Sequence, residues 1–104
     1  MMRYNISFSP DTLHIEIAGV LDFMDSLAFN RMMNSLKRKS ENEYNKIQIN
    51  MVELVDIDST GKRLLMRAHD FAKKTRCHLT FCEAHGPVLA FLESAAKHNN
   101  LDIA

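Results

Sequence analysis

Hydrophobic periodicity along this chain switches repeatedly between a repeat of two and a repeat of about 3.6 residues, and the order of those switches leaves few folds open. Tyr4, Ile6 and Phe8 alternate with polar residues, Ser9-Pro10-Asp11-Thr12 offers a type I turn with proline at its second position, and Leu13, Ile15 and Ile17 alternate again. The pair predicts an antiparallel hairpin. Gly19 to Asp25 reads as a loop. Ser26 to Lys39 then places Phe29, Met32, Met33 and Leu36 at i, i+3, i+4 and i+7, an amphipathic helix with Lys37, Arg38 and Lys39 in its last turn. Strand period returns over Lys46 to Met51, with Ile47, Ile49 and Met51 on one side. Leu64, Leu65, Ala68, Phe71 and Ala72 mark a second helix, and Leu79 and Phe81 the inward side of a strand from His78 to Cys82. Gly86-Pro87 opens a third helix through Val88, Leu89, Phe91, Leu92, Ala95 and Ala96, and Leu101 to Ile103 leaves room for a short edge strand.

The order β-β-α-β-α-β-α demands right-handed crossovers between parallel strands after the hairpin. The expected fold is α/β: a mixed sheet of four to five strands, begun by the N-terminal hairpin, with three helices mainly on one face. Strands covered on both faces would read as continuous apolar runs, whereas these alternate, so the other sheet face is expected to meet solvent. With 104 residues, 46% of them hydrophobic, residues 1–104 suffice for a single domain and leave no room for a second.

Charge excludes some partners. Thirteen basic and thirteen acidic side chains cancel, so no global field draws nucleic acid or an anionic membrane. The Lys37-Arg38-Lys39 run is what a helix macrodipole favours in a last turn. The start, MMRYNISFSP, has no apolar run of a leader, and no segment approaches the roughly 18 apolar residues of a membrane span. Cys77 and Cys82, read on one strand, point to opposite faces at their odd separation, and His14, His69, His78, His85 and His98 form no metal-ligand pattern. Free thiols in a reducing cytoplasm are expected. The methionines, among them Met32, Met33, Met51 and Met66, read as fillers of irregular core space.

The segment Val55 to Leu65, VDIDSTGKRLL, carries the chemistry. Asp58 or Ser59 is an N-cap, and Thr60 and Gly61 open the first turn of the second helix. A cap alone stabilises by about 1 kcal/mol and needs no further role. A phosphate on Ser59 would in addition meet free backbone N–H groups and the positive end of the helix. Catalytic readings fail on context. A nucleophile elbow needs glycine two residues before the serine, where Ile57 stands, and Gly19, Gly61 and Gly86 make no phosphate-cradling loop. Asp22, Asp25, Asp56 and Asp58 could be imagined as a metal cluster, but three of them serve naturally as loop or cap residues. The chain reads as a non-enzyme without a cofactor.

Asp58-Ser59-Thr60-Gly61 resembles the Asp-Ser-Ser/Thr-Gly signature of STAS domains, the group named for sulfate transporters and anti-sigma factor antagonists. Gly19-Val20-Leu21-Asp22, after the second strand, resembles that family's Gly-x-Leu-Asp element, and the order of elements matches over essentially the whole chain. A free-standing chain of this length is similar to the bacterial anti-sigma factor antagonists of partner-switching systems. The resemblance implies that the chain binds a serine kinase-type anti-sigma factor with an ATPase fold, which phosphorylates Ser59 and thereby ends the binding. It implies further that a metal-dependent serine/threonine phosphatase restores the hydroxyl. Asp22, Asp58, Thr60, Gly61, Lys62 and Arg63 would surround Ser59 and meet the partner. Lys62 departs from the apolar residue that commonly follows the motif glycine, so the partner-facing charge differs. A constitutive STAS scaffold, or an accessory subunit of a lipid-transport complex, is the other reading, and there Ser59 would be dispensable.

Overall fold

The computed structural model describes the backbone of residues 1–40 and 44–104 and the side chains of 1–36 and 44–104. Strands β1 (Arg3–Ser9) and β2 (Thr12–Leu21) form the expected hairpin, with Ser9 opposite Thr12 across Pro10-Asp11. A single 3-10 turn, Phe23–Asp25, leads into α1 (Ser26–Ser40), followed by β3 (Lys46–Asn50), β4 (Leu54–Ile57) and α2 (Ser59–Lys74). The chain closes through β5 (His78–Cys82), α3 (Gly86–Ala96) and β6 (Asp102–Ile103).

The strands order as β1-β2-β3-β5-β6, antiparallel only at the hairpin. The α/β class, the mixed sheet and the three helices are as the periodicity predicts. The strand count is larger. Leu54–Ile57 forms a strand that periodicity does not reveal, pairing in parallel with the far end of β2, so among the described residues the sheet has six strands. Strand β2 therefore has two successive parallel partners: Thr12 to Glu16 run beside β3, and Gly19 to Leu21 beside β4. The register shifts between Gly19 and Val20. Gly19 has φ +92°, and a Cβ there would stand 2.4 Å from the Met1 carbonyl oxygen, so only glycine fits this junction. The segment Gly19 to Asp25, expected as a loop, is thus the end of a strand followed by a 3-10 turn.

Alternation decides which side chains are sealed. Leu13, Ile15 and Ile17 of β2, Ile47 and Ile49 of β3, and Leu79 and Phe81 of β5 are buried on one sheet face. Phe29, Met32, Met33 and Leu36 of α1, Leu64, Leu65, Ala68, Phe71 and Ala72 of α2, and Val88 and Leu92 of α3 are buried with them in one core. Each fully buried aliphatic side chain contributes roughly 1.5–3 kcal/mol relative to exposure. On the hairpin's outer strand the same face runs out of cover. Tyr4 and Phe8 are 42% and 51% exposed, and Phe8 lies 6.5 Å from the Tyr44 ring. Tyr44 itself is buried and donates its hydroxyl proton to the Leu36 carbonyl at 2.9 Å.

Both cysteines are free and half-buried, but Cys77 falls just before β5 rather than within it. The last-turn reading of Lys37, Arg38 and Lys39 concerns side chains outside the described residues. Among the described residues, no helix is long and apolar enough to cross a membrane.

Candidate functional site

Where β2 ends, two separate segments of chain lock together. Asp58, in extended conformation (φ −97°, ψ −174°), is the N-cap of α2, which settles the choice between Asp58 and Ser59. Its Oδ1 accepts from the Gly61 N–H at 2.8 Å, satisfying one of the orphan donors of the first turn. Its Oδ2 accepts from the Phe23 N–H at 3.1 Å, 35 residues away in sequence. Its own N–H donates to the Leu21 carbonyl at 3.2 Å. One residue thereby joins the β2–β4 pairing, the first turn of α2 and the 3-10 turn.

Gly61 completes the lock. A Cβ at this position would lie 2.2 Å from the Leu21 carbonyl oxygen and 2.7 Å from Ile57 Cγ1, so only a residue without a side chain lets α2 seat on the end of β2. The glycine is needed here for close approach; its backbone conformation is ordinary.

Asp22 repeats the device on a smaller scale. It caps the 3-10 turn, Oδ1 accepting from the Met24 N–H at 2.9 Å, while its own N–H donates to Asp25 Oδ2 at 3.1 Å, a reciprocal capping box. Asp25 is 3% exposed, and its Oδ1 accepts from the Met2 N–H at 3.0 Å. Burial pushes the Asp25 carboxyl up, but the hydrogen bonds from the Met2 and Asp22 amides outweigh it and hold the carboxyl below its ordinary range. Asp56 Oδ1 accepts from the Ile57 N–H at 2.8 Å. All four carboxylates weighed as a cluster are thus committed to backbone amides.

Ser59 is the first residue of α2 and is exposed, and its hydroxyl makes no hydrogen bond among the described residues. Thr60 is half-buried, and its Oγ1 accepts from the Arg63 guanidinium at 3.4 Å. Lys62 extends along the helix flank, with Nζ 5.7 Å from the centre of the Phe91 ring. Ser59, Asp22, Asp58, Thr60, Gly61, Lys62 and Arg63 therefore occupy one corner of the molecule. Among the described residues, their bonds leave the exposed Ser59 hydroxyl unbonded at a helix start, with two cations one turn further along. Among the described residues, no base is hydrogen-bonded to that hydroxyl.

Apolar side chains at this corner escape a periodicity argument. Phe23, Met24 and Leu27 are 68%, 76% and 64% exposed. The main chain of Phe23 is bonded to Asp58, which puts this apolar surface at the Ser59 corner. One signal was available: Leu27 is out of phase with the Phe29, Met32, Met33 and Leu36 stripe and has no core position to fill.

The sequence model of the family described as STAS domain matches residues 3–103. No curated protein matches the chain. Among solved structures, the unphosphorylated form of the anti-sigma factor antagonist SpoIIAA superposes with a TM-score of 0.73 at 12% identity, over 98% of this chain and 87% of that one. An anti-sigma factor antagonist from Mycobacterium paratuberculosis gives 0.77 at 14% identity, over 98% and 86%. An uncharacterized protein of the DUF3478 family with a SpoIIAA-like fold, from Shewanella loihica, gives 0.63 at 13%, over 98% and 82%. At these identities the likeness establishes a shared fold.

Proposed function

This chain belongs to the STAS domain family, and from that premise we propose that it is an anti-sigma factor antagonist-like partner switch. Unphosphorylated, it binds a serine kinase-type anti-sigma factor of ATPase fold; phosphorylated on Ser59, it lets that partner go. A metal-dependent serine/threonine phosphatase resets it. The chain regulates without catalysing, needs no cofactor of its own, and works in the cytoplasm. One observation carries this reading: the Ser59 hydroxyl stands exposed on the first residue of α2, at the point where Asp58 bonds the Gly61 and Phe23 amides.

The physical chemistry supports a switch that leaves the fold in place. Phosphate adds about −1.5 to −2 charges at a surface position beside Asp58 and Asp22. The bonds that tie the corner's segments together run between backbone groups and the Asp58, Asp22 and Asp25 carboxylates, and among the described residues none involves the Ser59 hydroxyl. The modification therefore acts on a docked partner: a loss of about 3 kcal/mol weakens association roughly a hundredfold. Phe23, Met24 and Leu27 supply the apolar part of the contact.

Affinity capture with Ser59→Ala and Ser59→Glu baits tests this. A protein kinase of ATPase fold recovered on the Ala bait and lost from the Glu bait is the expected result. Equal recovery on both makes Ser59 a plain helix residue and leaves the constitutive scaffold.

A further inference from the structure

The outer face of α2 carries more positive charge than the helix itself can use. Lys62, Arg63, Arg67, Lys73 and Lys74 are all exposed, Arg67 donating to Asn30 Oδ1 of α1 at 2.9 Å, and Asp70 is the one carboxylate of the helix. Lys73 and Lys74 lie in the last turn, where the macrodipole favours cations. Lys62 and Arg63 lie at the opposite end, where it disfavours them; the one carboxylate at that end, the N-cap Asp58, has its two oxygens on the Gly61 and Phe23 amides. The macrodipole thus accounts for the C-terminal cations but not for Lys62 and Arg63, and residues that run against a local rule point to function. Since the whole chain has a formal net charge of zero, the stripe is a local concentration rather than a consequence of composition.

The stripe is also partly apolar. Lys62, Arg63, Met66, Arg67, Asp70 and Phe91 line a shallow cavity of about 300 Å³ between α2 and α3, and Asp70, Lys73 and Lys74 line the next one along the helix. A surface with a Met and Phe floor and a basic rim fits a protein side chain with carboxylates around it better than it fits a phosphate backbone. The contacts that now hold the first two cations are exposed and weak: Lys62 over the Phe91 ring at 5.7 Å, and Arg63 to Thr60 Oγ1 at 3.4 Å. Both residues follow Ser59 at i+3 and i+4, on its own side of the helix.

We propose that this face of α2, from Lys62 to Lys74 with Met66 and Phe91 beneath, docks on an acidic surface of the switch partner. Phosphate on Ser59 then weakens docking by drawing Lys62 and Arg63 to itself. The inference rests on the partner-switch reading of Ser59 and adds the chemistry of the partner and the means of release. Phosphate and partner carboxylates compete for the same two cations, so the modification removes positive charge from the interface as well as adding negative charge beside it.

The test uses the full chain and a defined probe, an amphipathic helical peptide with glutamates flanking a leucine stripe, followed by amide chemical shifts and titration. The expected shifts centre on Lys62, Arg63, Met66, Arg67 and Phe91. Affinity falls several-fold as salt rises from about 0.01 M to 0.15 M. Charge reversal by Arg63→Glu with Lys74→Glu lowers it at least about tenfold, whereas Arg3→Glu with Lys97→Glu, on other exposed surfaces, does not. Phosphoserine at position 59 weakens binding about tenfold, and that factor shrinks below about twofold when Lys62 and Arg63 are both replaced by methionine. Binding that survives the Arg63→Glu, Lys74→Glu reversal overturns the docking face, as does a duplex DNA oligonucleotide or phosphatidylglycerol vesicles outcompeting the peptide. If the reversal abolishes binding while phosphoserine changes nothing, the acidic-partner face stands and the Ser59 switch is what fails.

Discussion

The sheet core and the corner at the start of α2 are held by different physics. In the core, Ile15, Ile49 and Phe81 are wholly inaccessible among neighbours of the same kind, and each contact is weak, non-directional and one of many. At the corner, a few directional bonds do the same work: Asp58 to Gly61 and Phe23, Asp22 to Met24, Asp25 to Met2 and Asp22, with Gly61 pressed against Leu21. The core is redundant and tolerant of shape-preserving change; the corner is specified atom by atom. That division leaves the Ser59 hydroxyl outside the bonds that hold the corner, over a layer whose packing does not depend on it.

The largest expected effect tests the core. Phe81→Ala is expected to cost about 3–5 kcal/mol in urea unfolding, and it should speed hydrogen exchange at corner and core amides together, because the whole fold opens. Gly61→Ala comes next, at about 3 kcal/mol, since the added methyl meets backbone at 2.2 Å. Here exchange at the Phe23 and Gly61 amides should rise before that of Ile49, and a variant as stable as the parent would break the comparison outright. Asp58→Ala should cost about 2 kcal/mol by losing both the cap and the tether to Phe23, against less than about 1.5 kcal/mol for the volume-conserving core change Leu13→Met. Thermal melts of the two variants side by side would sharpen the contrast.

The smallest effect is read by pH, at opposite ends of the scale. Asp25 has a folded pKa below its unfolded one, so its stabilisation is present above the unfolded value and is lost as pH falls through the folded one. Acid should therefore loosen the corner below about pH 4, and Asp25→Asn should flatten that limb of the stability profile. Tyr44 lies on the core side, its pKa pushed up to about 12 first by burial and then by the nearby Cys77. Its stabilisation is full below the unfolded value near 10 and disappears as pH rises towards the folded one, and Tyr44→Phe should remove that alkaline limb.

Legibility in the sequence follows the same division. Leu13, Ile15 and Ile17, Ile47 and Ile49, and Leu79 and Phe81 announce strands because alternation repeats what burial requires. Strand β4 is silent because its buried residues, Leu54 and Ile57, stand three apart in a segment of four, so no period of two is written there. The motif residues of the corner could be found by resemblance, and their side chains do converge. Their bonding could not be read: that Asp58 reaches Phe23, or that Asp25 is buried against Met2, depends on how β4 and the 3-10 turn meet, and neither is periodic. Exposure of Phe23 and Met24 was hidden for a related reason, since a turn of three residues is shorter than one helical repeat.

The bond from Phe23 to Asp58 also bears on the order of events in a newly made chain. Its two ends are 35 residues apart and can meet only after α1 has crossed over and β4 has zipped onto β2. A half-folded chain can present an isolated Asp-Ser-Thr-Gly segment, but it cannot present that segment beside Phe23 and Met24. The corner therefore exists only in a chain that has finished folding: a surface made of the Asp-Ser-Thr-Gly segment together with Phe23 and Met24 is closed to an immature one.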